Sequence, residues 1–140
     1  MRPMIRSILA VLAGFVVASA VMMAVEAVNG RYLHPDVAKL AEGVTDREVL
    51  RSILAGAPIG ALLVVILGWV LGSLAGGCVA AWIGRRALVG HALAVGGLLT
   101  LAGIANNLMI PPPLWFWVAG LIVFIPAAYA GARLAPKATM

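Results

Sequence analysis

Three long stretches without a charged residue constrain this chain more than any other feature. The stretches cover residues 7–25, 52–84 and 87–132 and together hold 98 of the 140 residues. Hydrophobic residues make up 64% of the chain, and charged residues only 11%. A soluble domain of this size buries only about 70% of its surface, so it could not cover the remainder with so few polar groups. The sequence therefore predicts an integral membrane protein.

The lengths of these stretches predict four membrane spans. A helix needs about 20 apolar residues to cross a hydrocarbon core of about 30 Å. The third stretch is long enough for two crossings, and the three prolines at 111–113 divide it, because residues without an N–H group do not fit inside a lipid-exposed helix. The predicted spans cover residues 5–28, 59–83, 88–109 and 114–133. We expect an all-α four-helix bundle that forms a single membrane domain over residues 1–140.

The first span also resembles a secretory signal peptide, in which Ala-Ser-Ala at 18–20 would be the cleavage site. Apolar residues continue past this site as far as Val28. We therefore expect the first helix to be retained as a span.

The positions of the cations predict how the bundle is oriented. One side of the membrane would hold six cations and no acid, namely Arg2, Arg6, Arg85, Arg86, Arg133 and Lys137. The other side would hold the loop 29–57, where four cations are offset by four acids. The positive-inside rule favours the N-terminus and the C-terminus on the cytoplasmic side. Topology and anionic headgroups also account for the net charge of +5, so we expect no nucleic-acid partner.

The outer loop, residues 29–57, carries helix signals of its own. Asn29-Gly30 is typical of a helix stop, and a weak helical stretch from Asp36 to Glu42 ends at Gly43. The segment from Thr45 to Glu48 fits a capping box and predicts a short amphipathic helix that starts at Asp46. We expect this helix to lie on the membrane surface or over the mouth of the bundle.

Small residues form a seam along the second span. Gly68, Gly72 and Gly76 follow one another at intervals of four residues and continue into Ala80 and Gly84. Helices in lipid associate through close packing, so this pattern indicates an interface. The partner is either another helix of the same chain or a second copy, and we favour the same chain.

Polar residues end two similar stripes in the first and third spans. The stripe of the first span runs from Ala10 to Glu26, and that of the third span runs from Ala92 to Asn107. We expect an inward-facing polar cluster of Glu26, Asn106 and Asn107 near the outer surface. An ionisable residue in a span is a functional candidate by default. As a functional group, Glu26 would bind a cation or carry a proton. As a structural group, it would hydrogen-bond Asn106 or Asn107, or pair with Arg31 just outside the span.

Motifs for catalysis or cofactor binding are missing from the sequence. The chain has no H-E-x-x-H motif and no glycine-rich phosphate loop, and Cys78 is its single cysteine. We expect no enzymatic activity, no cofactor and no metal site.

Several segments resemble a known family. They are AGIANNLMIP at 102–111, WFW at 115–117 and PAAYAG at 126–131, together with the late Glu26, the charged outer loop and the Arg85-Arg86 turn. This combination resembles a family of small uncharacterised bacterial inner-membrane proteins with four spans, and the likeness covers most of the chain. The resemblance implies a bacterial, multi-pass, inner-membrane protein. It implies no activity and no site residue.

Three functions are compatible with these patterns. The first is a non-enzymatic membrane protein that acts as a homo-oligomer or as an accessory subunit of a membrane complex. The second is a small oligomeric channel or proton-coupled transporter that uses Glu26. The third is lipid or quinone binding in grooves lined by Gly68, Gly72 and Trp69, with headgroup contacts from Arg85 and Arg86. The expected partners are membrane lipids, a second copy or another membrane protein.

Overall fold

The computed structural model describes residues 2–85 and 87–136, and the regular structure of these residues is helical. The helices are α1 (Pro3–Val28), α2 (Pro35–Ala41), α3 (Arg47–Gly56), α4 (Ile59–Gly84), α5 (Leu88–Met109) and α6 (Leu114–Leu134). The helices α1, α4, α5 and α6 are long and apolar enough to cross a membrane. The prediction of an all-α, multi-pass chain with four candidate spans is therefore confirmed.

The end of α1 continues as a helical turn. The α-helix ends at Val28, beside the predicted stop at Asn29-Gly30, but the chain then makes one π-helical turn over Asn29–Leu33. The N–H of His34 closes this turn by donating to the carbonyl oxygen of Asn29 at 2.6 Å. The turn carries Asn29 into a buried position instead of releasing it into the loop.

The start of α3 differs from the capping-box expectation. The helix begins at Arg47, and Asp46 is its N-cap in place of Thr45. The Asp46 carboxylate accepts the N–H groups of Glu48 at 2.9 Å and of Val49 at 3.1 Å. An aspartate at this position satisfies two free N–H groups and places negative charge at the positive end of the helix dipole. Glu48 is consequently the second residue of the helix, one place short of the capping-box position.

The helix α4 lies at the centre of the bundle. It packs against α1, α5 and α6, while α6 also packs against α5. Two ends of the bundle are distinguished below. The loop end carries residues 29–58 and the α5–α6 turn at 110–113, and the Arg85 end carries the α4–α5 turn.

Glycines bring α1 and α4 into backbone contact. A Cβ added at Gly76 would lie 2.5 Å from the carbonyl oxygen of Gly14, and one added at Gly72 would lie 2.7 Å from that of Ala18. Side chains of ordinary size would separate the two backbones. The close packing that holds membrane helices together is thus made between these two helices of the same chain.

A second pair of glycines brings α4 and α6 into backbone contact. A Cβ at Gly77 would collide with the carbonyl oxygen of Ala128, and one at Gly131 would collide with that of Leu74. Gly77 is rotated by about 100° from Gly76 around the helix, so it lies outside the four-residue seam. The sequence pattern therefore missed this contact.

Aromatic rings fill the bundle beside these contacts. Trp69 stacks on Phe124 at 4.8 Å between ring centroids and meets Phe116 edge-on at 5.1 Å. All three side chains are buried. A Cβ at Gly120 would lie 2.7 Å from the Trp69 ring, so this glycine makes room for the indole. Trp69 is therefore part of the core.

The α4–α5 turn is tight. Arg85 and Ala87 both have positive φ angles, of 57° and 50°. The His91 ring packs over Gly84, where an added Cβ would lie 2.7 Å from the ring nitrogen. That nitrogen, Nδ1, lies 2.9 Å from the carbonyl oxygen of Ala87 and donates to it. His91 thus closes the first turn of α5.

Candidate functional site

The three residues of the expected polar cluster have different environments. Asn107 is fully buried, whereas Glu26 and Asn106 are exposed on the surface of the bundle. Within residues 2–85 and 87–136, no hydrogen bond joins Glu26 to either asparagine. The structure therefore places one member of the cluster inside and two outside.

The rotation of an α-helix explains this separation. A step of four residues turns the helix by about 400°, so a stripe built only from such steps drifts by about 40° each time. From Ala10 to Glu26 there are four such steps, and the drift of about 160° carries Glu26 to the opposite side of α1. The stripe of α5 includes one step of three residues, so Asn107 stays within about 60° of Ala92. Both Ala92 and Asn107 are buried accordingly.

Asn107 is buried without a polar partner. Neither the nitrogen nor the oxygen of its amide forms a hydrogen bond within the described part of the chain. A buried amide without partners is costly, by about 1–3 kcal/mol for each group left unsatisfied. Asn107 is therefore an exception to the rule that buried polar groups are hydrogen-bonded.

A cleft of about 480 Å³ lies at Asn107. Its lining includes Arg47 and Arg51 of α3, Pro111 of the α5–α6 turn, and Leu114 and Trp117 of α6. We call this the loop-end cleft. The cleft thus combines two exposed guanidinium groups with an apolar wall, while the polar atoms of Asn107 are closed to solvent.

A second polar group at the loop end has its partners within the chain. Asn29 donates through Nδ2 to the carbonyl oxygen of Ala61 at 3.0 Å, and its Oδ1 lies 2.8 Å from Nδ1 of His34. Because Oδ1 only accepts, Nδ1 of His34 carries the proton in this bond. Asn29 thus ties the end of α1 to the start of α4.

The Asn29 contacts were not predicted from the sequence. An Asn-Gly pair after an apolar helix is ordinarily a stop signal, and nothing in the spacing distinguishes a capping asparagine from a buried one. The π-helical turn brings His34 within reach of Asn29, and the sequence did not predict this turn.

A further cleft of about 350 Å³ lies between α2 and α3. His34, Asp36 and Ser52 contribute its polar lining, while Val37, Leu40 and Ile53 contribute apolar walls. Among the residues that the structure describes, no three His, Cys, Asp or Glu side chains lie close enough to hold a metal ion.

The seam glycines at positions 68, 72 and 76 lie against α1. Gly72 and Gly76 contact its backbone, and a Cβ at Gly68 would lie 3.0 Å from the Val25 side chain. At Gly72 the side chain of Met22 lies 2.7 Å from an added Cβ. Val25 and Met22 therefore occupy the space that a ligand in the expected groove would need.

The predicted headgroup residues lie at the other end. Arg85 is exposed and lines a cleft of about 210 Å³ together with Arg6 and Trp82. Arg86 lies outside the described residues. The sequence did not single out Arg6 for this cleft, because the two arginines are separated by a whole hairpin.

Comparison with models of protein families, with curated proteins and with solved structures finds no match to this chain. The function is therefore argued below from the residues and their geometry.

Proposed function

We propose that the chain is a non-enzymatic, bacterial inner-membrane protein that acts as a homo-oligomer or as an accessory subunit of a membrane complex. Its N-terminus and C-terminus lie on the cytoplasmic side, and the loop end faces outward. The single observation that carries this proposal is the exposed position of Glu26 in the last turn of α1.

An exposed carboxylate on a membrane-spanning helix calls for a partner. Ionisable groups in spans are costly and ordinarily face a bundle interior or one another. Met23 and Val28, near Glu26 on α1, are 67% and 47% exposed, so the surface around it is apolar. A second chain that offers a cation or a hydrogen-bond donor at this depth would stabilise Glu26.

The glycine contacts also indicate that a partner would use the face of α1 that carries Glu26. The glycines of α4 at 72, 76 and 77 are occupied by α1 and α6 of the same chain. The opposite side of α1 exposes Leu12 and Val16, at 54% and 64%, within about three turns before Met23. A partner would accordingly dock on the outward face of α1.

Native mass spectrometry after gentle detergent extraction tests the proposal. We expect a defined multimer, or a fixed partner in stoichiometric amount, and we expect Glu26→Gln to lower its yield severalfold. Glu42→Gln is the matched control, because it removes an exposed carboxylate from the loop. A lone monomer in every detergent would refute the proposal.

The orientation is tested by labelling single cysteines. Cys78 is the only cysteine, so a Cys78→Ala background leaves none. Ser52→Cys in α3 and Ala87→Cys in the α4–α5 turn then report on opposite ends, and both positions are exposed. A membrane-impermeant maleimide added to intact spheroplasts should label position 52 and not position 87. The reverse pattern would overturn the proposed orientation.

The cleft at Arg6 and Arg85 favours lipid binding as a second function. Two guanidinium groups beside an indole at a span end suit an anionic headgroup and its acyl chain. Retention of an anionic phospholipid in native mass spectra should fall in the Arg6→Ala plus Arg85→Ala variant. Retention equal to that of Arg31→Ala plus Lys39→Ala, which removes two loop cations, would speak against this function.

A further inference from the structure

We propose that a second copy of this chain covers the outward face of α1, and that Glu26 of each copy accepts a hydrogen bond from Asn106 of the other. This inference rests on the proposed association through Glu26 and names the partner. The arrangement has two-fold symmetry, so one kind of contact is made twice.

Glu26 and Asn106 lie at nearly the same depth in the bundle. The helices α1 and α5 both run from the Arg85 end to the loop end. They touch at Gly14, where an added Cβ would lie 2.9 Å from the Val95 side chain. Each of the two polar residues follows its contact residue by slightly more than three helical turns, or about 17–18 Å. The depths of the two side chains therefore differ by less than one helical turn.

Asn106 is the exposed donor that the spans offer at this depth. Two copies inserted in the same orientation present the same residues at each depth, so Glu26 meets only groups that its own chain holds there. The glycine contacts between helices locate this depth at residues 65–69 on α4 and at residues 119–123 on α6. These side chains are apolar apart from Trp69, which is buried. Within the described spans, the exposed N–H donor at this depth is thus the amide of Asn106.

The two groups have complementary chemistry. The Glu26 carboxylate accepts hydrogen bonds, and the Asn106 amide donates two through Nδ2. Both side chains are exposed on helices that are apolar enough to cross a membrane. Polar groups in such positions are costly unless they face a partner, and hydrogen bonds between helices hold spans together. A bond between two copies satisfies the carboxylate and the amide at once.

Apolar side chains extend the contact along α1. Large apolar residues on one exposed face of this helix follow one another at steps of three, four or seven residues up to Glu26. They are Ile5, Leu9, Leu12, Val16 and Met23. This spacing averages about 3.5 residues, which keeps one face of a helix against a parallel neighbour. The helix α5 packs beside α1 in the same chain and exposes Leu98 and Ala102 in the turns before Asn106. A two-fold axis therefore places α5 of each copy against α1 of the other.

Cysteine cross-linking in membranes tests this pairing. One copy carries Met23→Cys, and a second, differently tagged copy carries Ala102→Cys, each one turn before its polar residue. Both copies carry Cys78→Ala. We expect a short bismaleimide to link the two tagged copies in severalfold higher yield than in the matched control, in which Ile125→Cys takes the place of Ala102→Cys. Ile125 is exposed on α6 at the depth of Ala102, because Gly103 packs against Phe124.

Exchange of the two polar residues tests the bond itself. Asn106→Glu brings carboxylates together and should lower the dimer fraction in native mass spectra severalfold. The further change Glu26→Asn should restore the dimer, because donor and acceptor have only exchanged helices. Glu42→Asn is the matched control, since it alters an exposed carboxylate of the loop and should restore nothing.

The outcomes separate this pairing from the proposed function. Preferential linkage of positions 23 and 102, together with rescue by the exchange, supports the pairing. A multimer without that preference or without rescue overturns the pairing and leaves the proposed association standing. A fixed partner of different sequence likewise overturns the second copy. A lone monomer in every detergent overturns both the pairing and the proposed function.

Discussion

The middle of the bundle and its loop end hold their helices together in different ways. In the middle, glycines let α4 touch the backbones of α1 and α6 directly. At the loop end, the side chain of Asn29 bridges α1 to α4 through a hydrogen bond to Ala61. The middle is held by close backbone packing, and the loop end is held by a side-chain hydrogen bond.

This difference shows where the chain has room for a ligand. The middle has no space for an added methyl group at Gly72, Gly76 or Gly77. The loop end, in contrast, contains clefts of about 350 and 480 Å³ and the unpartnered amide of Asn107. We expect the middle to govern stability and the loop end to govern binding.

The largest effect on the free energy of unfolding should come from Gly77→Val. The new side chain would meet the backbone of Ala128, which cannot move without displacing α6. We expect a loss of about 3 kcal/mol or more in the free energy of unfolding, the upper range for overpacking. Tryptophan fluorescence during titration from mild detergent into SDS measures it, since Trp69 is in the core.

Gly97→Val is the matched control for this substitution. Gly97 is on α5, and a Cβ added there meets no atom within 4 Å. Its replacement should change the unfolding free energy by less than about 1 kcal/mol. Similar losses at positions 77 and 97 would show that the middle is not held by shape.

A smaller loss in the free energy of unfolding is expected for Gly76→Ala. One methyl group would lie 2.5 Å from the carbonyl oxygen of Gly14, which forces α1 away from α4. The expected cost is about 1–3 kcal/mol, by the same SDS titration. Gly97→Ala should be nearly neutral, and a stabilised Gly76→Ala variant would contradict the close contact.

At the loop end, Asn29→Leu should cost about 1 kcal/mol. The substitution removes the bonds to Ala61 and His34, and single interhelical hydrogen bonds in membrane proteins average about 0.6 kcal/mol. Asn106→Leu is the control, because Asn106 is an exposed amide at the same end. If both variants unfold at the same SDS fraction, the hydrogen bonds of Asn29 contribute nothing measurable.

The smallest effect should follow Glu48→Gln. This change removes the ion pair with Arg51, whose side chains are 58% and 76% exposed. Exposed pairs contribute about 0–1 kcal/mol, so we expect a change below about 0.5 kcal/mol that vanishes in high salt. A loss comparable to that of Gly76→Ala would mean that charges, as well as shape, govern stability.

The four spans could be predicted because length and apolar composition are sufficient to define them. Each predicted boundary lies within two residues of the corresponding helix end, and the prolines at 111–113 separate α5 from α6 as expected. The burial of Asn107 followed from its stripe. The inward-facing position expected for Glu26 was wrong, because a run of four-residue steps drifts around the helix and leaves this side chain exposed.

The loop-end cleft could not be predicted from any single segment. Its lining combines Arg47 and Arg51 of α3 with Asn107 and the α5–α6 turn, which are more than 50 residues further along the chain. Local patterns identify α3 as a helix and Asn107 as inward-facing, but they contain no information on which segment lies across the cleft from α3.

The two glycine faces of α4 also set an order of assembly. A nascent chain synthesised through Gly84 already holds both halves of the α1–α4 contact. Gly77, on the other face, acquires its partner only when α6 has entered the membrane some 50 residues later. During that interval, the backbone around Gly77 can pack against any neighbouring helix with small residues. Correct assembly therefore requires α6 to insert before an unrelated helix occupies this face.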